Sequence, residues 1–189
     1  MATLARHHGH LHAIRFYQDS NSLAQLVTEF IGAGFARQLP AIVIATPEHR
    51  QAICARLRSQ SFDVNRLQAS GDLFLSDADQ MLSAIMVDGM PDPARFHSVM
   101  LPVLQLASER RPGCVVRAYG EMVDVLWRAG ETVAATRLET LWNRLAQTHA
   151  FALLCGYSMG NFYKDAMQQD ICRHHSHVVT ETGETIAVN

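Results

Sequence analysis

Blocks of apolar residues along this chain alternate with stretches of helical periodicity. Residues 41–45 are an unbroken apolar run of strand length, which is typical of a parallel strand buried on both faces. Similar short runs predict four further strands, at residues 13–17, 73–75, 114–119 and 151–157. Between the strands, apolar side chains recur at helical spacing, as at Leu23, Leu26, Val27, Phe30 and Ile31.

Capping signals place the ends of the predicted helices. Thr46 followed by Pro47 predicts the start of a helix that runs to about Ser59. The preceding helix is expected to be capped by Ser20, Asn21 or Ser22. Further helices are predicted near residues 81–86, 96–104, 121–128, 131–148 and 161–173. This alternation predicts a three-layer α/β fold, in which a mostly parallel central sheet of about five strands carries helices on both faces.

Length and composition fit a single domain. The chain has 189 residues, of which 48% are hydrophobic and 18% are charged, as in globular proteins. We expect a disordered, His-rich tail at residues 1–11, the domain at residues 12–179 and a C-terminal tail at residues 180–189. The sequence shows neither a signal-peptide core nor an apolar run long enough to span a bilayer. A cytoplasmic location and no membrane partner are therefore expected.

Charge and cysteine content exclude some classes of partner. The formal net charge is −2, and the 16 basic residues are spread along the chain, so nucleic acid is not an expected partner. The four cysteines form no CxxC pair and are expected to be core thiols of a reducing compartment. No particular cofactor can be named from the sequence.

The loop after the first predicted strand lacks the residues of a phosphate-binding loop. Nucleotide hydrolases place GxxxxGK[ST] there, and its backbone amides and lysine hold the phosphates. This chain instead has the residues Tyr17-Gln18-Asp19-Ser20-Asn21-Ser22, with no glycine and no lysine. Hydrolysis of ATP by the usual route is not expected. Binding of a nucleotide through other contacts, as in a pseudo-ATPase, is kept as an alternative.

Residues 156–160 have the GxSxG pattern of a serine-hydrolase nucleophile. In that class the acid and the histidine of the triad lie on loops after later strands. Only 29 residues follow Gly160, which leaves no room for those strands. We therefore do not expect an enzyme, and a hydrolase that uses Ser158 is kept as an alternative.

Potential metal ligands cluster near the C-terminus, at Cys172, His174, His175 and His177. Their spacing is not that of a recognised zinc site, and no second pair of ligands accompanies them. A solvated helix end is the simpler interpretation, so no metal site is predicted here. A metal- or haem-based sensor that uses these residues is a further alternative.

The carboxyl ends of the predicted strands form the expected ligand site, because parallel sheets bind ligands in the crevice beyond those ends. Seven candidates lie there: Tyr17, Asp19, Thr46, Tyr119, Glu121, Tyr157 and Ser158. Tyrosine offers an apolar ring and one hydroxyl, which suits a small organic molecule. We predict a small, largely apolar ligand between the three tyrosines, with Glu121 as its polar anchor. In the alternative, the rings only close the top of the core and Glu121 caps the next helix.

Several segments together resemble the MEDS family, the methanogen/methylotroph DcmR sensory domain. These segments are residues 12–19, 42–47, 116–122, 138–142, 155–157 and 172–178. The resemblance covers about residues 12–179, nearly the whole chain. Ser158 stands where the family would be expected to have aspartate or proline, so the GxSxG pattern is interpreted as incidental variation.

The resemblance implies a RecA/KaiC-like fold that has lost its phosphate loop, in agreement with residues 17–22. It also implies a sensory role, for small hydrocarbon derivatives, on behalf of histidine kinases, anti-sigma modules or DNA-binding regulators. This sequence carries no such output segment, so its signal is expected to pass to a separate protein. We predict a stand-alone sensory module of bacterial signal transduction that binds a small organic molecule at the carboxyl edge of the sheet. A homo-oligomer is kept as an alternative to a single copy.

Overall fold

The computed structural model describes residues 11–159, 172–180 and 184–188, which form a seven-stranded sheet, a two-stranded ribbon and seven helices. The strands are β1 (His12–Tyr17), β2 (Ala41–Ala45), β3 (Leu73–Asp77), β4 (Met86–Val87), β5 (Met90–Pro91), β6 (Val116–Gly120), β7 (Phe151–Ser158), β8 (His177–Val179) and β9 (Thr185–Ala187). The helices are α1 (Ser20–Phe35), α2 (Pro47–Ser59), α3 (Val64–Ala69), α4 (Ala78–Ile85), α5 (Pro93–Ser108), α6 (Met122–Arg128) and α7 (Thr132–Ala146).

The seven-stranded sheet has the order β3-β2-β6-β7-β1-β8-β9, and every neighbouring pair is parallel except β8 and β9. The predicted mostly parallel sheet is confirmed, and its five predicted strands correspond to β1, β2, β3, β6 and β7. Two short strands, β8 and β9, extend the sheet beyond β1. β9 lies within residues 180–189, so this segment contains a strand and is not simply a tail.

Helices cover both faces of the sheet, as the three-layer prediction requires. On one face, the apolar side chains of α1, α2 and α3 form a core with strand residues such as Val43 and Leu154. On the other face, α4 to α7 cover strand residues such as Ile44 and Leu153. We call these the α1 face and the α7 face. Successive residues of each strand alternate between them.

Side chains at the strand ends start the helices that follow. Asp19 is the N-cap of α1, and its carboxylate accepts hydrogen bonds from the backbone N–H groups of Asn21 (3.0 Å) and Ser22 (2.9 Å). The assignment of this cap to Ser20, Asn21 or Ser22 is therefore wrong, because those residues already belong to the first turn. The predicted start of α2 is confirmed, with Thr46 as its N-cap and proline as its first residue.

Three predictions lie wholly or mostly outside the described residues. They concern residues 1–10 of the N-terminal tail, Gly160 of the GxSxG pattern and most of the helix predicted at residues 161–173. Among the helices that the structure describes, none has both the length and the apolar character needed to cross a membrane.

Candidate functional site

Glu121 follows β6 at the carboxyl edge of the sheet and is fully buried. Its carboxylate accepts hydrogen bonds from the backbone N–H of Thr46 (3.0 Å) and from the Thr46 hydroxyl (3.3 Å). The Nδ1 atom of His49 lies 2.7 Å from the same carboxylate, and the Nη2 atom of Arg128 lies 3.5 Å from it. Glu121 thus ties the start of α2 to the end of α6.

A second fully buried carboxylate, Asp124, lies in the first turn of α6. It accepts hydrogen bonds from the hydroxyl of Tyr17 and from the backbone N–H of Ser158, both at 2.8 Å. The Nε atom of Arg128 lies 3.0 Å from it. Asp124 therefore connects the carboxyl ends of β1 and β7 to α6.

We call Glu121, Asp124, His49 and Arg128 the edge network. The side chain of Arg128 is 42% exposed, whereas the two carboxylates have no exposed surface. Burial raises the pKa of Asp124, against the opposing effect of its hydrogen bonds and of the Arg128 charge. Burial by itself would lower the pKa of His49, but the hydrogen bond to Glu121 and the Glu121 charge outweigh burial and raise that pKa. Two buried carboxylates thus share one permanently charged arginine, which disfavours a further anion.

Four of the seven predicted site residues meet at this edge: Tyr17, Thr46, Glu121 and Ser158. Asp19 lies beside them in the sequence but is exposed and serves as the cap of α1. Its hydrogen bonds from Ser22 lower the pKa of the Asp19 carboxyl, as expected for a capping carboxylate.

The three tyrosines of the predicted ligand site do not face one another. Tyr17 and Tyr119 lie on the α1 face, whereas Tyr157 lies on the α7 face. The Tyr157 hydroxyl donates to Glu139 at 2.7 Å, while the Tyr17 hydroxyl donates into the edge network. The prediction of one ligand between the three rings is therefore wrong in its geometry. In the register between β1 and β7, Tyr17 pairs with Ser158. Tyr157 is one residue earlier in β7, so its side chain points to the opposite face of the sheet from that of Tyr17.

The GxSxG pattern has a packing explanation at its first glycine. A Cβ atom at Gly156 would lie 2.8 Å from the hydroxyl oxygen of Tyr119, so the fully buried tyrosine leaves no room for a side chain there. Ser158 is the last residue of β7, and its backbone N–H is bonded to Asp124. Among the described residues, no histidine is hydrogen-bonded to Ser158.

A second buried polar group lies on the α7 face. Its members are His12, Glu139, Cys155 and His175, and we call it the Glu139 cluster. The Nε2 atom of His12 lies 3.1 Å from the Glu139 carboxylate and 3.3 Å from the Sγ atom of Cys155. The Nε2 atom of His175 lies 3.3 Å from the same carboxylate. Strand β1, helix α7, strand β7 and the segment before β8 each contribute one residue.

Hydrogen bonds and charges hold the Glu139 cluster in place. The Nδ1 atom of His12 lies 2.8 Å from the side-chain oxygen of Asn143, whose NH₂ group donates to the carbonyl of His174 at 2.8 Å. Burial alone would raise the pKa of Glu139, but the charges of His175 and His12 and their hydrogen bonds hold it well below its ordinary value. Glu139 is therefore a carboxylate in spite of its complete burial.

The structure separates the four residues near the C-terminus that the sequence offers as alternative metal ligands. It brings His175 into the Glu139 cluster and leaves the other three outside that cluster. His174 contributes its backbone carbonyl to Asn143, and the Nδ1 atom of His177 lies 2.8 Å from the hydroxyl of Ser176. Cys172 is half-buried. The partners of His175 come from distant parts of the chain, so local spacing could not reveal them.

The chain that holds both groups of buried charge matches a known protein family. The family model described as "MEDS: MEthanogen/methylotroph, DcmR Sensory domain" matches residues 11–176, which is nearly the whole chain. This chain belongs to the MEDS family. The resemblance found in the sequence is confirmed, and with it the assignment to a family of sensory domains. Among curated proteins, none matches the chain.

The sequence of this MEDS domain did not point to several charged or titratable residues that the structure brings into the two polar groups. His49, Asp124 and Arg128 of the edge network were not predicted, and neither was Glu139. A signal existed for the two acids, since each lies among the apolar residues that form the buried side of its helix. Charged side chains are almost never fully buried without a partner, so such positions indicate a polar site.

Proposed function

We propose that this MEDS domain senses a small organic molecule that binds at the carboxyl edge of its sheet, on the edge network. Membership of a family of sensory domains supports the sensory role. The observation that carries the location is the contact of two fully buried carboxylates with the half-exposed Arg128. A solute can replace or bind beside a side chain that is open to solvent. The carboxylates behind it then act as acceptors.

The charges of the edge network favour an uncharged or cationic ligand. Even with His49 protonated, the two cations of the edge network only balance Glu121 and Asp124, so an entering phosphate would find no unpaired positive charge. A cation or a neutral hydrogen-bond donor would instead be attracted to the carboxylates. This balance supports a small organic ligand over the nucleotide of a pseudo-ATPase.

The contacts of the edge network also supply a route by which binding can change the domain. Asp124 holds the ends of β1 and β7, and Glu121 holds the start of α2. A ligand that displaces Arg128 alters the contacts of both carboxylates, and with them the relative positions of these elements. We propose that this change is relayed to a separate signalling protein, such as a histidine kinase or a regulator.

We also propose that the domain binds its ligand without catalysing a reaction. Gly156 is accounted for by the packing of Tyr119, and Asp124 holds the backbone of Ser158. These contacts support the interpretation of the GxSxG pattern as incidental.

Binding of short-chain alcohols and alkylammonium ions tests the proposed site. Purified protein is screened with these probes, and with MgATP, by thermal shift and then by isothermal titration calorimetry. We expect at least one probe to bind the wild type and MgATP not to bind. The Glu121→Gln variant should bind that probe roughly 10- to 100-fold more weakly, because a charged acceptor is lost.

The matched control is Glu29→Gln, which removes an exposed carboxylate from α1 and should leave probe affinity unchanged. Equal affinities of the wild type and Glu121→Gln would contradict the location. Tight binding of MgATP would contradict the ligand class. If no probe binds and no small molecule co-purifies in native mass spectrometry, the sensory site itself is contradicted.

A further inference from the structure

The four side chains of the Glu139 cluster point their potential metal-binding atoms at one another. One nitrogen, oxygen or sulfur atom from each of them lies within 4.8 Å of all the others. The separations include 3.1 Å from His12 to one Glu139 oxygen, 3.3 Å from His175 to the other Glu139 oxygen, 3.3 Å from His12 to Cys155 and 3.9 Å from Cys155 to Glu139. In a tetrahedral zinc site with bonds of about 2.0–2.3 Å, neighbouring donor atoms lie about 3.3–3.7 Å apart. The cluster is therefore close to the size of such a site.

Asn143 determines which nitrogen of His12 faces the cluster. The NH₂ group of Asn143 donates to the carbonyl of His174, so its side-chain oxygen must accept from the Nδ1–H of His12. A metal ion that replaced the Nε2 proton of His12 would meet the lone pair of that nitrogen in the space between Glu139 and Cys155. Histidines that bind metals commonly donate their other N–H to an oxygen acceptor in this way, which fixes the ring and its tautomer.

Charge balance in the buried space also fits a divalent cation. The carboxylate of Glu139 and a thiolate of Cys155 bring two negative charges, and two neutral histidines bring none. A divalent ion makes the group neutral overall, which is the state that a buried site favours. All four members of the cluster are buried, which keeps them apart from solvent, and the buried ring of Tyr157 lies 6.3 Å from the ring of His175.

We propose that the Glu139 cluster is a binding site for a divalent transition-metal ion of the zinc type, with two nitrogen ligands, one sulfur and one oxygen. Zinc takes His nitrogen, Cys sulfur and carboxylate oxygen as ligands, whereas magnesium and calcium require oxygen ligands throughout. This proposal is independent of the proposed ligand site, because the edge network shares no residue with the Glu139 cluster.

A metal at this position would join separate parts of the chain. His12 lies on β1, Cys155 on β7 and Glu139 on α7, while His175 lies just before β8. The segment before β8 is also bonded to β1, through the backbone N–H of Ser176 and the carbonyl of His12 at 2.8 Å. Metal binding would therefore fasten the C-terminal β8–β9 pair to the centre of the sheet.

Zinc and cobalt binding by the full chain tests this site. Tag-free protein is unfolded in denaturant that contains a chelator, and it is then refolded with excess Zn²⁺ or Co²⁺. After the unbound ion is removed, elemental analysis gives the number of ions bound per chain. We expect about one ion per chain and a higher thermal midpoint than in the metal-free protein. The cobalt protein should show a thiolate-to-metal charge-transfer band, and that band should be absent from Cys155→Ser. Zinc affinity should fall at least tenfold in His12→Gln and roughly 10- to 100-fold in Asn143→Leu.

Two controls separate this site from other metal-binding groups. Cys54→Ser removes a buried cysteine from the α1 face and should leave the cobalt band unchanged. Replacement of both His174 and His177 by alanine should leave one ion bound, as should replacement of His7, His8 and His10 by alanine. Circular dichroism of the metal-free variants shows whether each still folds cooperatively.

The proposal is overturned by any of three results. The first is no stoichiometric metal after refolding with excess ion. The second is metal that remains bound with unchanged affinity in folded His12→Gln and Cys155→Ser. The third is metal that is lost only when the N-terminal histidines or His174 and His177 are replaced.

Discussion

The two groups of buried charge in this domain differ in the cations that face their carboxylates. At the edge of the sheet, Glu121 and Asp124 contact Arg128, which is permanently charged and 42% exposed. On the α7 face, Glu139 contacts two histidines that are themselves buried and can be neutral. The first group can therefore be reached by a solute from outside, whereas the second is enclosed by the fold.

If the proposed function holds, this difference separates a site that responds to a ligand from a group that holds the fold together. Exchange of a solvent-exposed arginine for a ligand does not require the core to open. Any change in the Glu139 cluster, by contrast, alters contacts between β1, β7 and α7. β7 belongs to both groups, because Cys155 and Tyr157 face the Glu139 cluster and Ser158 is bonded to Asp124.

Removing the charge of each buried glutamate should produce the largest effects and should separate the two groups. Glu139→Gln leaves buried histidines without their counter-charge, and we expect it to lower the free energy of unfolding by about 3–5 kcal/mol. Glu121→Gln should lower it by only about 1–3 kcal/mol, because it leaves one buried histidine, His49, without its counter-charge and solvent can compensate Arg128. Urea denaturation of the metal-free proteins measures both values. Equal losses of unfolding free energy in the two variants would show that the stability contributed by a buried glutamate does not depend on whether its cationic partners are buried or exposed.

The positions of the edge residues could be predicted from the sequence, because the ends of parallel strands meet at one edge. Tyr17 ends β1, Thr46 follows β2, Glu121 follows β6, and Ser158 ends β7. The directions of the side chains could not be predicted. A shift of one residue in strand register reverses the face, and the sequence contains no measure of register between β1 and β7. The error over Tyr157 has this cause.

The Glu139 cluster and the last two strands were beyond sequence reasoning for other reasons. The cluster joins residues as distant as 12 and 175, and no local spacing encodes such a contact. β8 and β9 have three residues each and exist through pairing with β1 and with one another. Segments this short carry too little periodicity to be recognised as strands.

A substitution at Gly156 measures how closely β7 is packed at the point where it lies between the edge network and the Glu139 cluster. Gly156→Ala would bring a Cβ atom to 2.8 Å from the hydroxyl oxygen of Tyr119 and 3.2 Å from the Cδ1 atom of Leu23. We expect it to lower the free energy of unfolding by about 1–3 kcal/mol through overpacking. Removal of the hydroxyl in Tyr119→Phe should recover part of this loss in the double variant, which urea denaturation of all four proteins would measure.

The two single tyrosine variants sharpen the same test. No described residue bonds to the Tyr119 hydroxyl, so Tyr119→Phe should be neutral or stabilising. Tyr157→Phe should be destabilising, because the Tyr157 hydroxyl donates to Glu139 at 2.7 Å. The contrary result would be that Tyr119→Phe is destabilising and recovers none of the stability lost in Gly156→Ala. The contact with the Tyr119 hydroxyl would then not explain why position 156 requires glycine.

The smallest expected effect is a pH dependence that belongs to the edge network. The pKa of His49 is raised above its ordinary value of 6.5, since the hydrogen bond and charge of Glu121 outweigh burial. Folding therefore favours the protonated form, whose stabilisation is fully present below pH 6.5 and is lost as the pH rises through the folded-state pKa. Three other titratable or charged groups face His49, namely Tyr17 from β1, Arg128 from α6 and Glu48 from α2 itself, and the hydroxyl of Ser20 lies 2.9 Å from its Nε2 atom.

Comparison of His49→Gln with the wild type isolates this contribution from the other histidines. Between about pH 6 and about pH 8.5 the wild type should lose more stability than His49→Gln, and the difference between the two is the part due to His49. His97→Gln, which changes an exposed histidine on α5, should follow the wild type. Urea denaturation across this range gives the three curves. Parallel curves for His49→Gln and the wild type would mean that Glu121 does not hold a proton on His49. The stability contributed by the edge network would then not depend on pH in this range. That is the behaviour expected if Arg128 alone neutralised the two carboxylates, because arginine keeps its charge throughout.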